Sequence, residues 1–473
     1  MTVSQEETKQ IQAKEEIEGL INRAKTAQAK AENFTQEEAR RVAACIGWLA
    51  VNKAEKWAEF NFEETGMGDV QSKINRTNAR ARGIMRDIKH AKTVGVVEVD
   101  EEKQITKIAK PVGVIGGLVP TTVPAGVVFI KSMNALLGRN AIVFSPHPRA
   151  KKTTNMVVND IRKLLSKMNL PEDLVLCIET PSMAKTQELM KQSDLIVATG
   201  GGPMVKAAYS SGTPAYGVGA GNVVTVVDET ADLSDVAAKI SSSQKNDLAI
   251  GCSTENSAII HESVYDNAIE EMIKEGAYFC NKEEKQKLQN TLFKDGHLNP
   301  EVIVKPATYI AEKSGFSIPE DRTWLIVEEE GYGSEHPFSG EKLSVVVALY
   351  KYKDFDDAIK LTNDIQNYSG AGHSCGIHSF DDDKILKFSE ETKTSRVAVR
   401  MAQNHSNAGN WNNGMPFTIT LGCGTWCGNI ASENITWKHY INTTWVAREI
   451  ENYTIPTDEE LFGDVMNEEK LFE

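Results

Sequence analysis

The sequence lacks the features that mark secreted, membrane-spanning and repetitive proteins. Its seven cysteines are an odd number scattered over 473 residues, so they form no disulfide framework and fit a reducing compartment. No stretch of about 18 uncharged apolar residues is present, and the N-terminus carries Glu, Lys and Gln where a secretory signal would be apolar. We therefore expect a cytoplasmic protein that does not span a membrane.

An excess of positive charge is also absent. The 66 acidic residues outnumber the 52 basic ones and give a net charge of −14, which argues against nucleic acid as a general partner. Zinc-ligand spacing is missing as well, because Cys423 and Cys427 have no His or Cys partners nearby, and no metal site is expected. The composition that remains is that of a soluble globular protein, long enough for two large α/β domains.

One cysteine lies in a sequence that suits a nucleophile. Cys252 follows Gly251, and small polar residues separate it from an apolar, strand-like run. The glycine permits a close approach of the backbone to a ligand, and the Cys252 backbone N–H is free to donate to a developing oxyanion. A lone cysteine is more often an inert core residue, so its surroundings must decide between the two interpretations.

Glycine-rich segments precede this cysteine. Residues 194 to 212 read as an apolar strand, a glycine turn and a helix that has Pro203 in its first turn, which is a βα unit with a phosphate-binding turn. The pattern departs from G-x-G-x-x-G, so a plain tight turn stays an alternative. Gly217, Gly219 and Gly221 then remove side chains from one face, as a flat ligand lying against the backbone would require.

A basic cluster follows another strand. Residues 147 to 152 (HPRAKK) come after the apolar residues 141 to 144 and open a helix, which places cations and free N–H groups where an adenosine phosphate could lie. A solvated helix start explains the same residues equally well.

The chain alternates between strands and helices over most of its length. Residues 6 to 64 have helical periodicity, and residues 94 to 108 predict a hairpin. From 111 to 228 the alternation is typical of a parallel doubly wound sheet, and a second α/β stretch runs from 229 to 430. Residues 437 to 449 are rich in aromatic and β-branched residues and resemble a strand.

Several collinear motifs resemble the aldehyde dehydrogenase superfamily, and specifically its CoA-acylating branch, between residues 111 and 448. A collinear set is far more specific than any single motif. The matching segments are 111–115 (PVGVI), 145–150 (SPHPRA), 198–212 (ATGGGPMVKAAYSSG), 217–222 (GVGAGN), 227–233 (VDETADL), the Cys252 loop, 341–344 (EKLS), 372–374 (GHS) and 416–429 (PFTITLGCGTWCGN).

The resemblance implies an α/β fold with a Rossmann-like cofactor domain, an α/β catalytic domain and a small β oligomerisation arm. On this basis we expect a dinucleotide-binding domain over 1–228, interrupted by the hairpin at about 94–110, and a catalytic domain over 229–430. Residues 94–110 and 435–455 would form the arm of a homodimer or homotetramer, and 456–473 an acidic tail.

The resemblance also implies the chemistry. The Cys252 thiolate would add to an aldehyde, and loss of hydride to NAD or NADP would leave a thioester on the sulfur. Gly217 stands where the hydrolytic relatives have a general-base Glu, and Glu335 lies in a segment that departs from their ribose-binding pattern. Without a base to activate water we expect coenzyme A, whose thiolate fraction is appreciable at neutral pH, to accept the acyl group.

The expected site residues follow from these motifs. Cys252 is the catalytic residue, and Thr121, Thr122, Arg400 and Asn412 are expected to bind the substrate. The expected cofactor-binding residues are Ser145, His147, Arg149, Thr199, Gly200, Gly201, Pro203, Met204, Gly217, Val218, Gly219 and Glu335.

The substrate pocket departs from the branch at one position. Val123 replaces an Asn that supplies an oxyanion donor in close relatives, so Thr121 or Thr122 substitutes, or the pocket is arranged differently, or this chain is a slow or altered member. Residues 395 to 416 are rich in amides and hydroxyls around two arginines, which favours a small anionic aldehyde. Loop capping and a surface ion pair of Arg400 explain the same composition.

Residues 412–416 and 456–463 resemble the acylating sulfoacetaldehyde dehydrogenases of this branch. Succinate semialdehyde is the alternative, since an arginine accepts a carboxylate as readily as a sulfonate, and acetaldehyde is a third substrate. A hydrolytic enzyme that uses Glu255 or Glu335, and a non-catalytic oligomeric protein with an inert Cys252, stay open.

Overall fold

The computed structural model describes residues 5 to 467, and these open with three long helices, α1 (Gln5–Ala31), α2 (Gln36–Thr65) and α3 (Val70–Ile88). Thr35 begins α2: its hydroxyl accepts the N–H of Glu38, whose carboxylate accepts the N–H of Thr35. This reciprocal cap satisfies two donors that a helix start leaves unpaired. The predicted peripheral helices are confirmed, and their buried faces pack into the core of the first domain.

The first domain contains a five-stranded parallel sheet in the order β5-β4-β3-β6-β7. Its strands are β3 (Val114–Val119), β4 (Ala141–Pro146), β5 (Val175–Cys177), β6 (Leu195–Ala198) and β7 (Ala215–Gly217), and its helices are α4 (Pro124–Leu137), α5 (Lys151–Lys167), α6 (Met183–Gln192) and α7 (Gly202–Tyr209). The chain runs outward from β3 to β5 and then returns to the other side of β3. Ligands of such sheets bind at the carboxyl ends of the strands, where the order reverses.

The second domain contains a seven-stranded parallel sheet in the order β10-β13-β14-β9-β8-β15-β16. Its strands are β8 (Val223–Val227), β9 (Glu255–His261), β10 (Ala277–Phe279), β13 (Trp324–Glu328), β14 (Val346–Tyr352), β15 (Cys375–His378) and β16 (Val397–Val399), with a small hairpin of β11 (Phe293–Lys294) and β12 (His297–Leu298). Its helices are α8 (Leu233–Lys245), α9 (Tyr265–Lys274), α10 (Lys282–Leu292), α11 (Ala307–Lys313), α12 (Phe355–Tyr368), α13 (Asp382–Glu391) and α14 (Gln403–Ser406). The two parallel sheets confirm the predicted α/β class.

A separate three-stranded antiparallel sheet forms the arm. It consists of β1 (Gly95–Asp100), β2 (Ile105–Pro111) and β17 (Ile441–Ala447) in the order β1-β2-β17. The predicted hairpin and the predicted late strand therefore pair with each other. After the arm, α15 (Asp458–Phe462) lies exposed in the acidic tail, and the tail's residues 468 to 473 fall outside the described part of the chain.

Both predicted boundaries of the second domain require correction. Strand β8 (Val223–Val227) is fully buried and pairs with β9 and β15, so it belongs to the second sheet. The first domain therefore ends before Val223 and not at 228. The predicted end at 430 is also too late, because Phe417 already packs into the core of the first domain. Burial of the valine-rich strand β8 sets the first limit, and burial of the Phe417 ring sets the second.

Candidate active site

A cleft of about 710 Å³ lies where the first sheet faces the loop of Cys252, within the size range of small-molecule sites. The carboxyl ends of β4, β6 and β7 form one wall. Helix α3, the start of α4 and the segments around Asn404 and Thr418 form the other. The cysteine that the sequence singled out is therefore part of a ligand-sized cavity.

The Cys252 loop is held in an unusual backbone conformation. Asp247, Leu248 and Ala249 all have positive φ, at 54°, 55° and 58°, a region that costs non-glycine residues on the order of 1 kcal/mol or more each. The fully buried carboxylate of Asp247 accepts hydrogen bonds from the Nζ of Lys73 at 2.9 Å and from Arg76. These ion pairs fasten the turn to α3, so α3 determines where the sulfur lies.

The three glycines before β8 are required by close packing of the chain, and of the three only Gly219 also lines the cleft. A Cβ at Gly221 would lie 1.8 Å from the carbonyl oxygen of Cys252, and one at Gly219 would lie 2.4 Å from the sulfur of Cys427. At Gly217 it would lie 2.6 Å from a methyl group of Val205. The space that a general-base side chain would need at Gly217 is filled by protein.

The surroundings of Cys252 keep its sulfur protonated at rest. Burial raises the pKa of the Cys252 thiol to about 12, and the negative charge of Glu341 adds to the increase. The hydroxyl of Ser253 donates to the sulfur and acts in the opposite direction. The cysteine is partly exposed at the cleft, so a substrate can reach it, but its ionisation requires help from a partner.

His373 is that partner, and it is missing from the expected site residues although its motif (GHS, 372–374) is part of the resemblance. Its Nε2 lies 3.2 Å from the Sγ of Cys252, and its Nδ1 lies 2.8 Å from the hydroxyl of Ser374. Burial and the charge of Arg396 lower the pKa of His373 to about 3. The ring is therefore neutral at pH 7 and can accept the thiol proton when the sulfur bonds to carbon.

The carboxylates that the sequence offered do not reach the cleft wall. Glu335 is exposed and lies outside the cleft lining, which corrects its assignment to the cofactor. Glu255 is buried and accepts hydrogen bonds from the hydroxyl of Ser243 and the N–H of Gln403, so it too lies away from the cleft. Glu341 is the carboxyl group among the described lining residues, and burial raises its pKa to about 7. Glu341 is the first residue of the 341–344 motif (EKLS), so the sequence motif already pointed to this carboxyl group.

Most of the predicted cofactor residues line one end of the cleft. These are Ser145, His147, Arg149, Thr199, Gly200, Gly201, Met204, Val218 and Gly219. Pro203 and Gly217 do not line it, because Pro203 is inside the first turn of α7 and Gly217 backs onto Val205 and Tyr209. Their neighbours in the same two segments form the wall in their place.

This end of the cleft fits a dinucleotide phosphate. Helix α7 begins at Gly201 without a side-chain cap, and a Cβ at Gly202 would meet nothing within 4 Å, so its first N–H groups are open to an anion. Arg149 supplies positive charge nearby. Burial and the Arg149 charge lower the pKa of His147, which leaves the imidazole uncharged at neutral pH.

Of the four predicted substrate-binding residues, two line the cleft and two do not. Thr121 and Thr122 line the cleft beside Val123, and their hydroxyls have no partner among the described residues. Arg400 and Asn412 do not line it, which corrects their assignment. Arg400 donates to the carbonyl of Ser379 at 2.8 Å and its guanidinium stacks on the ring of Phe380, and Asn412 is exposed at a loop.

Residues to which sequence patterns assign no role line the cleft on the side of α3. Helix α3 contributes Asn75, Arg76 and Arg80, and the segment that includes α14 contributes Asn404 and His405. Arg76 and Arg80 are one helical turn apart and therefore share a face of α3. The spacing was visible in the sequence, but nothing in it indicated that α3 faces Cys252.

Within residues 5 to 467, no helix is long and apolar enough to cross a membrane. No group of three or more His, Cys, Asp or Glu side chains in this range could hold a metal ion.

Comparison with known proteins gives a consistent result. The aldehyde dehydrogenase family profile matches residues 3–285. The chain is 44% identical to a sulfoacetaldehyde dehydrogenase of an Acholeplasma species, over 96% of this chain and 95% of the relative. It is also 44% identical to the acylating sulfoacetaldehyde dehydrogenase of Bilophila wadsworthia, over 93% and 96%. The crystal structure of an acetylating aldehyde dehydrogenase from Geobacillus thermoglucosidasius superposes with a TM-score of 0.91 at 36% identity, covering 94% of this chain and 99% of that one.

The Glu341→Gln variant tests the electrostatic account of the thiol. The charge of Glu341 raises the pKa of Cys252, and Glu341 itself ionises near pH 7. The variant should therefore react faster than the wild type with iodoacetamide at pH 8.5, and equally fast at pH 5.5, where Glu341 is already neutral. Faster alkylation at both pH values would mean that the substitution opens the cleft and does not act through charge.

The His373→Gln variant tests the proton-accepting role. Loss of a positioned general base typically lowers the rate by about 10²–10⁴-fold, so the rate of acyl-enzyme formation should fall by about that factor. Dinucleotide binding, measured by fluorescence titration, should change by less than about threefold, since His373 is not part of the expected cofactor end. A wild-type rate in a folded variant would remove His373 from the mechanism.

Proposed function

Since this chain belongs to the aldehyde dehydrogenase family, in the branch that contains acylating members, we propose that it is a CoA-acylating aldehyde dehydrogenase. Its reaction converts an aldehyde, coenzyme A and NAD⁺ or NADP⁺ into an acyl-CoA, NADH or NADPH, and a proton. The observation that carries the proposal is the Cys252 thiol in contact with a neutral His373 at the side of a dinucleotide-sized cleft.

The residues of the chain act in two stages. The sulfur of Cys252 bonds to the carbonyl carbon as Nε2 of His373 accepts the thiol proton, while the backbone N–H of Cys252 and the hydroxyls of Thr121 and Thr122 donate to the oxygen. The bound dinucleotide supplies the hydride acceptor. The CoA thiol loses its proton to solvent and its thiolate attacks the thioester on Cys252; the Cys252 thiolate leaves and takes back the proton held by His373.

Hydrolysis is the second candidate because Glu341 lies in the cleft with its pKa near 7, which suits a general base. Two observations favour transfer to CoA. The side-chain position at Gly217 is filled by protein, and Glu341 accepts the N–H of Gly221, which holds it in a structural hydrogen bond.

We propose sulfoacetaldehyde as the physiological substrate. Two relatives with 44% identity act on it by name, and the aldehyde end of the cleft has the cations Arg76 and Arg80. Succinate semialdehyde is the competing anionic substrate, and acetaldehyde is the neutral reference.

The requirement for CoA tests the reaction class. Reduction of NAD⁺ or NADP⁺ by sulfoacetaldehyde should continue beyond one equivalent of enzyme only when CoA is present, because nothing else removes the acyl group quickly. The Cys252→Ala variant should show no reduction and still bind the dinucleotide. Sustained reduction without CoA, with release of the free acid, would show that the enzyme is hydrolytic.

We also propose that the arm joins this chain to further copies, as a homodimer or homotetramer, and that the enzyme works in the cytoplasm. Val96 and Val99 on β1 and Trp445 on β17 are each more than half exposed, and these two outer strands leave backbone groups unpaired. All seven cysteines are free thiols, which suits a reducing compartment.

Trp445→Asp should reduce the mass of the particle in analytical ultracentrifugation, because it places a charge in the apolar contact. Trp48→Asp is the matched control, since Trp48 is exposed to the same extent on α2 and should leave the mass unchanged. An unchanged mass for Trp445→Asp, or a particle that is monomeric in the wild type, would contradict the assignment of the arm.

A further inference from the structure

Two arginines on the same face of α3, Arg76 and Arg80, line the aldehyde end of the cleft. They differ in whether a carboxylate neutralises the charge. Arg76 forms an ion pair with Asp247, which also pairs with Lys73. Arg80 forms no ion pair with any carboxylate of the described residues, although the chain has 66 acidic residues against 52 basic ones. Its Nη1 donates to the neutral carbonyl oxygens of Ala408 and Gly409, the latter at 3.1 Å.

The charge of Arg80 is retained despite its partial removal from water. Burial and the neighbouring Arg76 lower the pKa of Arg80 to about 10, so the guanidinium is still positive at neutral pH. Its Nε and Nη2 have no acceptor among the described residues. A guanidinium whose donors are held in a fixed fork, and which lacks a counter-charge, favours a carboxylate, sulfonate or phosphate oxygen.

The position of Arg80 relates it to the reacting atoms. Arg80 and Cys252 both line the cleft, and Ala408, whose carbonyl Arg80 binds, packs with Cys252 in the same small apolar cluster. The ring of Phe417 lies 5.7 Å from the guanidinium carbon and supports it from one side. An anion that binds Arg80 therefore shares the cleft with the sulfur of Cys252.

We propose that Arg80 is the anion-binding residue that makes this enzyme select short aldehydes with a terminal sulfonate or carboxylate. The inference rests on the proposed function and names the substrate determinant of that site. It replaces Arg400, which the sequence had favoured and which binds Ser379 outside the cleft. The bound anion supplies the counter-charge that Arg80 lacks, and in doing so it orients the carbonyl toward the sulfur.

The test compares three variants on charged and neutral aldehydes in the presence of CoA. Arg80→Gln removes the charge but keeps a donor for the Ala408 and Gly409 carbonyls. Arg80→Lys keeps the positive charge but lacks the planar, forked guanidinium. Arg400→Gln is the matched control. For sulfoacetaldehyde and succinate semialdehyde, Arg80→Gln should lower kcat/KM by about a hundredfold, the scale of losing one partner of a desolvated charge pair.

The same variant should change kcat/KM for acetaldehyde by less than about threefold, Arg80→Lys should recover part of the loss, and Arg400→Gln should match the wild type on all three aldehydes. A larger loss with sulfoacetaldehyde than with succinate semialdehyde, or the reverse, identifies which anion the site prefers. Equal losses on charged and neutral aldehydes, or no loss on either, would overturn the proposal.

A binding measurement separates this inference from the proposed function. Ethanesulfonate, which has no carbonyl, should slow the alkylation of Cys252 by iodoacetamide in the wild type and not in Arg80→Gln, while the neutral ethyl methyl sulfone should protect neither. If the wild type does not oxidise sulfoacetaldehyde, the substrate assignment fails, but protection by ethanesulfonate still supports the anion site. Equal protection of wild type and Arg80→Gln would overturn it.

Discussion

The buried ion pairs of Asp247 are the interaction on which the rest of the site depends. Three consecutive residues with positive φ precede Cys252, and such a turn persists only when its surroundings over-determine it. Asp247 supplies that constraint, since its carboxylate is held by Lys73 and Arg76 of α3. Removing one partner of a buried pair typically costs about 3–5 kcal/mol, so the position of the nucleophile and that of α3 are set together.

Because of this coupling, one helix both positions the nucleophile and lines the cleft. The same face of α3 that fixes the turn presents Arg80 to the cleft that contains the sulfur. On the other side, burial leaves the Cys252 thiol and the His373 imidazole both uncharged at rest. The thiol therefore reacts when a bound carbonyl carbon accepts the sulfur, and its neutral state protects it from unproductive reactions before that. The cofactor end depends on different elements, the uncapped start of α7 and the side chain of Arg149.

Local patterns predicted the elements of the fold well, because strand and helix periodicities and the glycine turns are encoded within a few residues. The hairpin at β1 and β2, the parallel sheets and Cys252 in a cleft follow from such patterns. What failed depends on contacts distant in sequence: β8 joins the second sheet, Glu341 and not Glu335 reaches the cleft, and Arg400 turns to Ser379. His373 meets Cys252 across 121 residues, and Arg80 reaches the same cleft from α3 of the first domain; no local pattern specifies either arrangement.

The central claim is that a thioester on Cys252 is stable toward water and reactive toward CoA. Intact-mass and peptide mass spectrometry of enzyme mixed with sulfoacetaldehyde and NAD⁺ or NADP⁺, without CoA, tests it most directly. The account predicts a sulfoacetyl group on Cys252 that persists for many turnover times and disappears within one turnover after CoA is added. An adduct on another residue, or one that water removes as fast as CoA does, would contradict it.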